Sequence, residues 1–174
     1  MTERKRRILF DKDTINQAVK RLGREISQTY GDESLVVVPL LRGSFIFAAD
    51  LVREIESPTV IDFMTTSSYE ENEESSGNVN ILQNLRCDIE GKNVLIVDDI
   101  CDSGNTLLKI SKILKDHNPK SLKTVVMLDK PSRREVEIKP DFIGKTIEDV
   151  FIVGYGLNYG DYYRNIPYIF TFED

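Results

Sequence analysis

Apolar and polar residues alternate with two different periods in the first part of the chain. One face of a predicted helix carries a row of apolar side chains: Ile15, Ala18, Val19, Leu22 and Ile26. Thr14, with Gln17 three residues later, is a capping box that predicts the start of this helix, and Gly31 predicts its end. The unbroken apolar run 35–41 that follows is typical of a parallel strand covered on both faces.

The same alternation continues through the middle of the chain. Residues 42–44 form a turn that leads into an apolar helix from Phe45 to about Ile55, and residues 59–64 are again strand-like. The strand at residues 94–97 leads through a second turn into a helix from about Thr106. Leu107, Ile110 and Leu114 lie on one face of that helix. Asn118–Pro119 ends it.

Further strands are predicted at residues 124–128 and 150–153, with a shorter one at 142–143. Strands that alternate with helices indicate an α/β fold, in which a mostly parallel central sheet is flanked by helices on both faces. The less regular chain ends predict a small cap over the carboxyl ends of the strands, where ligands bind in such sheets. No internal repeat or linker interrupts the pattern, so residues 1–174 are expected to form a single domain.

Residues 65–80 break the alternation, because they are polar and mostly small or acidic. Such a segment buries too little apolar surface to form a stably packed structure on its own. It is either a floppy surface loop or a lid that closes on a substrate, since long loops in compact domains are often functional.

The composition indicates an ordinary globular protein. Of the 174 residues, 40% are apolar and 30% are charged, and the net charge of −6 argues against a nucleic-acid-binding surface. The basic run at residues 4–7 is interpreted as a solvated terminus. No apolar run approaches the roughly 20 residues of a membrane span, and no signal-peptide core follows the basic start. The two cysteines, Cys87 and Cys101, suit a reducing cytoplasm.

Candidate chemistry is concentrated directly after the strand at residues 94–97. Asp98 and Asp99 place two adjacent carboxylates at a strand end, where they can accept hydrogen bonds from a ribose diol or hold a hard cation. Residues 102–106 form a small polar turn at the start of a helix, whose free N–H groups and dipole suit a phosphate monoester. Each acid alone could be a helix cap or a solvated residue. Three acids with Ser, Gly and Thr, in this order after an apolar strand, favour a sugar phosphate site.

Residues 94–108 resemble the phosphoribosyl pyrophosphate signature of the type I phosphoribosyltransferases, in which four apolar residues precede two acids and a Gly-x-Thr turn. Nearly the whole chain is similar to the bacterial hypoxanthine branch of that family. The resemblance therefore implies the type I phosphoribosyltransferase fold with a hood made by the chain ends. The supporting segments are LLRGS at 40–44, the pair Ser68 and Tyr69, LDKPSRR at 128–134, KPDFIG at 139–144 and FIVGYGL at 151–157.

The resemblance implies roles for the acidic turn. Asp98 and Asp99 would bind the ribose 2′- and 3′-hydroxyls and help to hold Mg²⁺. Asp102 would be the catalytic base or acid near N7 of the purine. The 5′-phosphate would lie against Asp102 and the residues that follow it: Ser103, Gly104, Asn105 and Thr106.

The other implied site residues surround the base and the pyrophosphate. Lys130 would bind the purine O6, Phe151 would stack on the base, and the backbone of Ile152 would meet the edge of the base. The departing pyrophosphate would be bound by Arg164 and by a loop whose 41–42 peptide bond can be cis in this family: Leu41, Arg42 and Gly43.

Ser68 and Tyr69 would belong to the mobile lid at about residues 65–80. Asn158 stands where the family usually has an aspartate that contacts a second magnesium ion. An amide oxygen is a weaker ligand than a carboxylate, so weaker second-metal binding and a greater magnesium requirement are expected.

The resemblance implies a purine salvage enzyme that transfers 5-phosphoribose from phosphoribosyl pyrophosphate to N9 of hypoxanthine, and of guanine, with Mg²⁺. The products would be IMP or GMP and pyrophosphate. The enzyme would be a cytoplasmic homodimer or homotetramer that binds the donor and a 6-oxopurine, without nucleic acid or membrane. Two alternatives stay open: a nucleotide-sensing RNA regulator on the same scaffold, and an enzyme that prefers xanthine or guanine.

Four of the implied residues also have simpler interpretations. Lys130 could be a solvated lysine after a strand, and Phe151 could be a core aromatic at the start of a strand. Arg164 could pair with Asp161, and Tyr69 could be an ordinary loop tyrosine.

Overall fold

A computed structural model describes residues 4–68 and 79–173 of the chain. A central seven-stranded sheet and a separate two-stranded sheet contain the strands of this part of the chain. The elements are β1 Arg6–Phe10, α1 Lys12–Tyr30, β2 Leu35–Leu41, α2 Phe45–Val52, β3 Thr59–Ile61, β4 Met64–Ser68, β5 Val79–Gln83, β6 Asn93–Cys101, α3 Asn105–Lys115, β7 Ser121–Asp129, a 3₁₀ turn Pro131–Arg133, β8 Phe142–Thr146 and β9 Ile169–Phe172.

The central sheet is mostly parallel, as predicted. Its order is β5-β4-β2-β6-β7-β8, and β3 pairs with the first half of β2. Only the pairing of β4 with β5 is antiparallel among the strand pairs described for this sheet. The carboxyl ends of β2, β6 and β7 therefore lie side by side, which brings residues 41, 98–102 and 129–130 to one edge.

Helices cover both faces of this sheet. Alternate residues of β2 divide between the two faces, because successive side chains of a strand point in opposite directions. Leu35 and Val37 pack in one core cluster with α1 and α2, whereas Val36 and Val38 pack in the other with α3. The strands in the middle of the sheet are buried on both sides, which explains their unbroken apolar sequences.

The predicted helix boundaries were partly wrong. The first helix begins at Lys12 rather than Thr14, because the Asp11 carboxylate is its cap and accepts a hydrogen bond from the Thr14 N–H at 2.8 Å. The second helix ends at Val52 rather than about Ile55, and a tight turn follows it.

The strand predicted at residues 59–64 is two strands, β3 and β4. The Asp62 carboxylate interrupts it, because it accepts hydrogen bonds from the N–H groups of Phe63, Arg86 and Cys87. The strand predicted at 150–153 is absent from the described residues. Only Val153 makes a bridge, to Phe170, and Gly154 then turns the chain with a φ of +100°.

The segment predicted as a loop or lid has strands at both of its ends. β4 and β5 pair antiparallel, with Ser68 opposite Val79. Tyr69 and the rest of the connection, residues 69–78, lie outside the described residues.

The two chain ends pair with each other as the antiparallel strands β1 and β9. Residues 150–164 run between this pair and the carboxyl edge of the central sheet, where Lys130 Nζ donates a hydrogen bond to the Val150 carbonyl oxygen at 2.9 Å. The chain ends and the segment beside them thus contribute to a cap, as predicted. Within the described residues, no helix is long and apolar enough to cross a membrane.

Candidate active site

A cleft of about 780 Å³ opens at the carboxyl edge of the central sheet. It is bounded by β2, β6, the turn into α3 and the segment after Gly156. Eleven of the residues predicted from the sequence line it: Leu41, Arg42, Gly43, Asp98, Asp99, Asp102, Ser103, Gly104, Thr106, Asn158 and Arg164.

Asp98 and Asp99 form the acidic side of the cleft, near the end of β6. Both are half-buried, and each holds the next residue: Asp98 Oδ1 accepts the Asp99 N–H at 3.0 Å, and Asp99 Oδ1 accepts the Ile100 N–H at 2.8 Å. Burial raises the pKa of Asp98 well above its ordinary value, and the neighbouring Asp99 charge raises it further. Burial also raises the pKa of Asp99, although the positive charge of Arg164 opposes this effect.

Two arginines form the cationic side. Arg164 Nη1 donates to the Gly156 carbonyl oxygen at 2.6 Å, and burial followed by the charge of Arg42 lowers the pKa of Arg164. The peptide bond between Leu41 and Arg42 is cis, a form that this bond can adopt in the family that the chain resembles. A Cβ atom on Gly43 would lie 2.0 Å from Asp99 Oδ2, so the β2–α2 loop directly contacts the acidic pair. Positive and negative groups thus face each other over a short distance.

The turn between β6 and α3 forms a third side. Gly104 has a φ of +86°, and the Ser103 hydroxyl accepts a hydrogen bond from the Asn105 N–H at 3.3 Å. The N–H groups of the first helical turn have no partners inside a helix, and the dipole adds partial positive charge there. This arrangement can bind an anion such as a phosphate.

Arg134 and Glu135 hold the backbone of this turn in place. Arg134 Nη1 donates to the carbonyl oxygens of Cys101 at 3.1 Å and Asp102 at 2.8 Å, and its other nitrogen pairs with the buried Asp129. The Glu135 N–H donates to the Ser103 carbonyl oxygen at 2.9 Å. The backbone of the turn is therefore fixed to the end of β7.

The Asp102 side chain points to the same region. Its Oδ1 atom is buried and makes no hydrogen bond to the described residues, although Arg133 Nε lies 3.3 Å away. The Asp102 side chain as a whole is 43% exposed and lines the cleft, so its carboxylate can meet a ligand there.

The residues predicted to bind the base lie beside the cleft. Lys130 is 5% exposed, so the interpretation as a solvated lysine was wrong. Phe151 is 56% exposed and is not a core residue. Its ring packs edge-on against Tyr159 at 5.7 Å between centroids, and Ile152 next to it is buried.

Some predicted residues are placed differently. The Asn105 side chain does not line the cleft but donates to Glu135 Oε2 at 2.8 Å. Asn158 is exposed and donates through Nδ2 to the Gly160 carbonyl oxygen at 2.6 Å. Ser68 ends strand β4, and Tyr69 lies outside the described residues.

Sequence reasoning missed Arg133, Arg134 and Glu135 as site residues. Arg133 and Glu135 line the cleft, and Arg134 donates a hydrogen bond to the Asp102 carbonyl oxygen in the turn beside it. Both arginines lie inside the family-like segment LDKPSRR, but no feature of the sequence distinguishes the exposed Arg133 from the half-buried Arg134.

The sequence and the fold of this chain both match those of known proteins. Residues 7–160 match the family described as phosphoribosyl transferase domain. The chain is 48% identical over 164 residues to a hypoxanthine phosphoribosyltransferase of Salmonella typhimurium, covering 93% of this chain and 92% of that one. It is 46% identical over 172 residues to a hypoxanthine-guanine phosphoribosyltransferase of Aquifex aeolicus, covering 98% and 97%.

A crystal structure of a hypoxanthine-guanine phosphoribosyltransferase from Bacillus anthracis has the same fold. It matches with a TM-score of 0.92 at 41% identity, over 98% of this chain and 100% of that one. Sequence and structure agree along nearly the entire length, so the chain belongs to the phosphoribosyltransferase family.

Proposed function

We propose that this enzyme transfers 5-phosphoribose from phosphoribosyl pyrophosphate to N9 of hypoxanthine, and of guanine, and releases pyrophosphate. The observation that carries the proposal is the cleft, where Asp98 and Asp99 face Arg42 and Arg164 beside the start of α3. A donor with a diol, a monoester phosphate and a diphosphate matches these three surfaces. Relatives at 46–48% identity bear the names of enzymes with this activity.

The ribose phosphate would occupy the side of the cleft formed by β6 and α3. Asp98 and Asp99 would accept hydrogen bonds from the ribose 2′- and 3′-hydroxyls. The 5′-phosphate would lie on the turn at residues 102–106, where Gly104 lets the backbone approach. Asn105 would contribute its N–H group, since its side chain is turned to Glu135.

The pyrophosphate would lie between Arg164 and the loop of Leu41, Arg42 and Gly43. Two cations here suit the negative charge that grows on the departing oxygens. Because the fold holds these groups close together, little reorganisation is needed when the bond to C1 of the ribose breaks.

Magnesium fits the acidic pair by donor chemistry. Burial disfavours the charged forms of both Asp98 and Asp99, and a divalent cation would relieve this cost. Among the described residues, no group of three His, Cys, Asp or Glu side chains could hold a metal. Mg²⁺ is commonly held by one or two carboxylates together with water and substrate phosphates. When bound, it would neutralise charge on the pyrophosphate.

The purine would enter the part of the site formed by β7 and the segment after it. Phe151, which is more than half exposed, would stack on the ring, and the backbone of Ile152 would meet its edge. Lys130 donates to the Val150 carbonyl oxygen and would donate a further hydrogen bond to O6. A donor at this point selects a 6-oxopurine over adenine, whose 6-amino group is itself a donor.

Asp102 would take the proton that the purine loses as the bond to N9 forms. Its side chain is 43% exposed and lines the cleft, so the carboxylate can accept a hydrogen bond from N7. Ser68 and Tyr69, within the segment 65–80, would close over the site and exclude water that could attack C1 of the ribose.

We also propose that the enzyme is a homodimer or homotetramer in the cytoplasm. The edge around β3 exposes several apolar side chains that a second subunit could cover: Val60, Ile61 and Phe63. Both cysteines, Cys87 and Cys101, are free thiols, which suits a reducing compartment.

The test is pyrophosphate release from phosphoribosyl pyrophosphate with hypoxanthine, guanine, xanthine and adenine in turn, with and without magnesium. The control is Asp102→Asn, which keeps the shape of the side chain and removes the base. Magnesium-dependent turnover of hypoxanthine or guanine, strongly reduced in Asp102→Asn, supports the proposal. A folded protein that turns over none of the four bases contradicts it, and preferential turnover of xanthine or adenine contradicts the choice of base.

A further inference from the structure

We propose that Arg133 is a positioning residue, whose guanidinium group fixes the Asp102 carboxylate for proton transfer to and from the base. The inference rests on the proposed function, because it takes Asp102 as the group that exchanges the proton. None of the roles assigned above involves Arg133, although it lines the cleft.

Arg133 lies between two carboxylates. Its Nε atom is 3.3 Å from Asp102 Oδ1, and its Nη1 atom is 3.4 Å from Asp149 Oδ1. Asp149 Oδ1 in turn lies 3.8 Å from Lys130 Nζ. The charges therefore alternate from Asp102 through Arg133 and Asp149 to Lys130, so that each attracts its neighbours. This row joins the group proposed to meet N7 with the group proposed to meet O6.

The backbone explains why these side chains meet. Lys130 precedes the 3₁₀ turn Pro131–Arg133, and the Arg133 N–H donates to the Lys130 carbonyl oxygen at 3.2 Å. Residues three apart in such a turn project in the same direction. Arg134, directly after the turn, is fixed to the carbonyl oxygen of Asp102 at 2.8 Å. The turn thus delivers Arg133 to the Asp102 side chain from a rigid support.

Arg133 is poorly suited to stabilising the fold. The side chains of Arg133 and Asp149 are both 55% exposed, and ion pairs this exposed contribute little to folding. Asp102 Oδ1, by contrast, is buried without a hydrogen bond to the described residues. Only the charge of Arg133 lies within ion-pair distance of this oxygen in the described part of the chain, and it restricts how the carboxylate can turn.

A specific kinetic effect follows. Without Arg133, the carboxylate would adopt orientations that do not reach the base, whereas the groups that bind the donor would stay in place. We expect Arg133→Met to lower kcat with hypoxanthine about tenfold to a hundredfold, with little change in the KM for phosphoribosyl pyrophosphate. Arg133→Lys keeps a positive charge and should restore part of the rate. Asp149→Asn leaves Arg133 beside Asp102 but removes its second anchor and the negative charge 3.8 Å from Lys130, so we expect a smaller loss of kcat than for Arg133→Met.

The experiment measures steady-state kinetics of the full chain with donor and base varied separately. The matched control is Arg24→Met, which removes the same charge from an exposed position on α1 and should leave kcat unchanged. Melting temperatures of all variants show whether each is folded, and Arg133→Met is expected to melt close to the unaltered protein.

A second arm tests whether Arg133 acts through Asp102. Arg133→Met is combined with Asp102→Asn, and rates are followed in single turnover so that slow variants are measurable. The substitution at Arg133 should cause no further loss once the carboxylate is gone.

The inference is overturned if Arg133→Met leaves kcat unchanged, changes only the KM for the donor, or lowers the rate equally with and without Asp102. None of these outcomes contradicts the proposed function, which is tested by turnover in the unaltered protein. Absence of turnover in the folded, unaltered protein would instead overturn the proposed function, and with it this inference.

Discussion

Gly156 lies against the backbone of Gly43, so closely that a Cβ atom on Gly156 would be 2.2 Å from the Gly43 carbonyl oxygen. Gly43 in turn lies directly against the Asp99 carboxylate. These two contacts join three distant parts of the chain and bring Arg42 and Arg164 to the acidic pair. Gly156 also has a φ of +98°, a conformation that favours glycine.

The first prediction concerns this contact. Gly156→Ala should force the loop at Leu41, Arg42 and Gly43 away, because the methyl group collides with backbone rather than with a flexible side chain. We expect the KM for phosphoribosyl pyrophosphate to rise more than the KM for hypoxanthine. The strained backbone should also lower the free energy of unfolding by about 1–3 kcal/mol. Steady-state kinetics and urea denaturation measure the two effects.

The control for this substitution is Gly91→Ala. Gly91 also has a positive φ, of +67°, but no atom lies within 4 Å of a Cβ placed there. It should lose stability without any change in either KM. An equal rise in both KM values for Gly156→Ala would show that the contact does not act on the pyrophosphate side of the cleft.

The second prediction concerns Arg134. Its side chain is 14% exposed and pairs with Asp129, whose side chain is 7% exposed. Arg134→Met leaves this carboxylate buried without its partner, and we expect a loss of about 3–5 kcal/mol in the free energy of unfolding. Adding Asp129→Asn should recover part of the loss, because it removes the buried charge. Urea denaturation at neutral pH is the measurement.

Arg133→Met is the comparison for Arg134→Met, since the two residues are adjacent and carry the same charge. Arg133 is exposed, so its loss should change stability by less than about 1 kcal/mol. Similar losses for the two variants would mean that the buried pair with Asp129 contributes no more than an exposed one.

Much of the fold could be predicted because its central strands are buried on both faces. The apolar runs in β2 and β6 follow from that burial. The apolar face of α1 follows from the packing of this helix against the sheet. β1 was not predicted, because its apolar stretch, residues 8–10, is too short to indicate a strand, and Leu9 and Phe10 are only half-buried against the core.

The acidic half of the candidate site could be predicted because Asp98, Asp99 and the turn at 102–106 are contiguous. The approach of Arg164 to Asp99 could not be read from spacing, and depends on the turns at Gly154 and Gly156. Resemblance to a family supplied it instead. The difference between Arg133 and Arg134 also lies outside the sequence pattern, since it depends on where a single 3₁₀ turn ends.

The third prediction concerns stability at high pH. Tyr30 is buried, and burial raises its pKa from 10.0 to about 12. The nearby Ser121 hydroxyl opposes this rise in the pKa of Tyr30. Ser121 donates its own hydrogen bond to Asn93 Oδ1 at 2.7 Å, and the Tyr30 hydroxyl has no hydrogen-bond partner among the described residues. A raised pKa in the folded state contributes stability that is complete below the unfolded pKa and is lost as pH rises through the folded pKa.

Tyr30→Phe should therefore lose less stability than the unaltered protein between pH 10 and about 12. A shift of this size corresponds to about 2–3 kcal/mol. Urea denaturation at a series of pH values gives the difference, with Tyr162→Phe, an exposed tyrosine, as the control. Parallel losses for Tyr30→Phe and the unaltered protein would contradict the prediction.

The last prediction concerns Asn158, which lines the same cleft as Asp98 and Asp99. Its Nδ2 donates to the Gly160 carbonyl oxygen at 2.6 Å, which leaves the Oδ1 atom as the one that can bind a metal. Asn158→Asp replaces a neutral oxygen with a charged one, so we expect half-maximal turnover at a lower magnesium concentration. The variant also loses the hydrogen bond to Gly160, and Asn158→Ala controls for that loss because it offers no ligand. A magnesium dependence that is the same in Asn158→Asp and the unaltered protein would show that this position does not bind the metal.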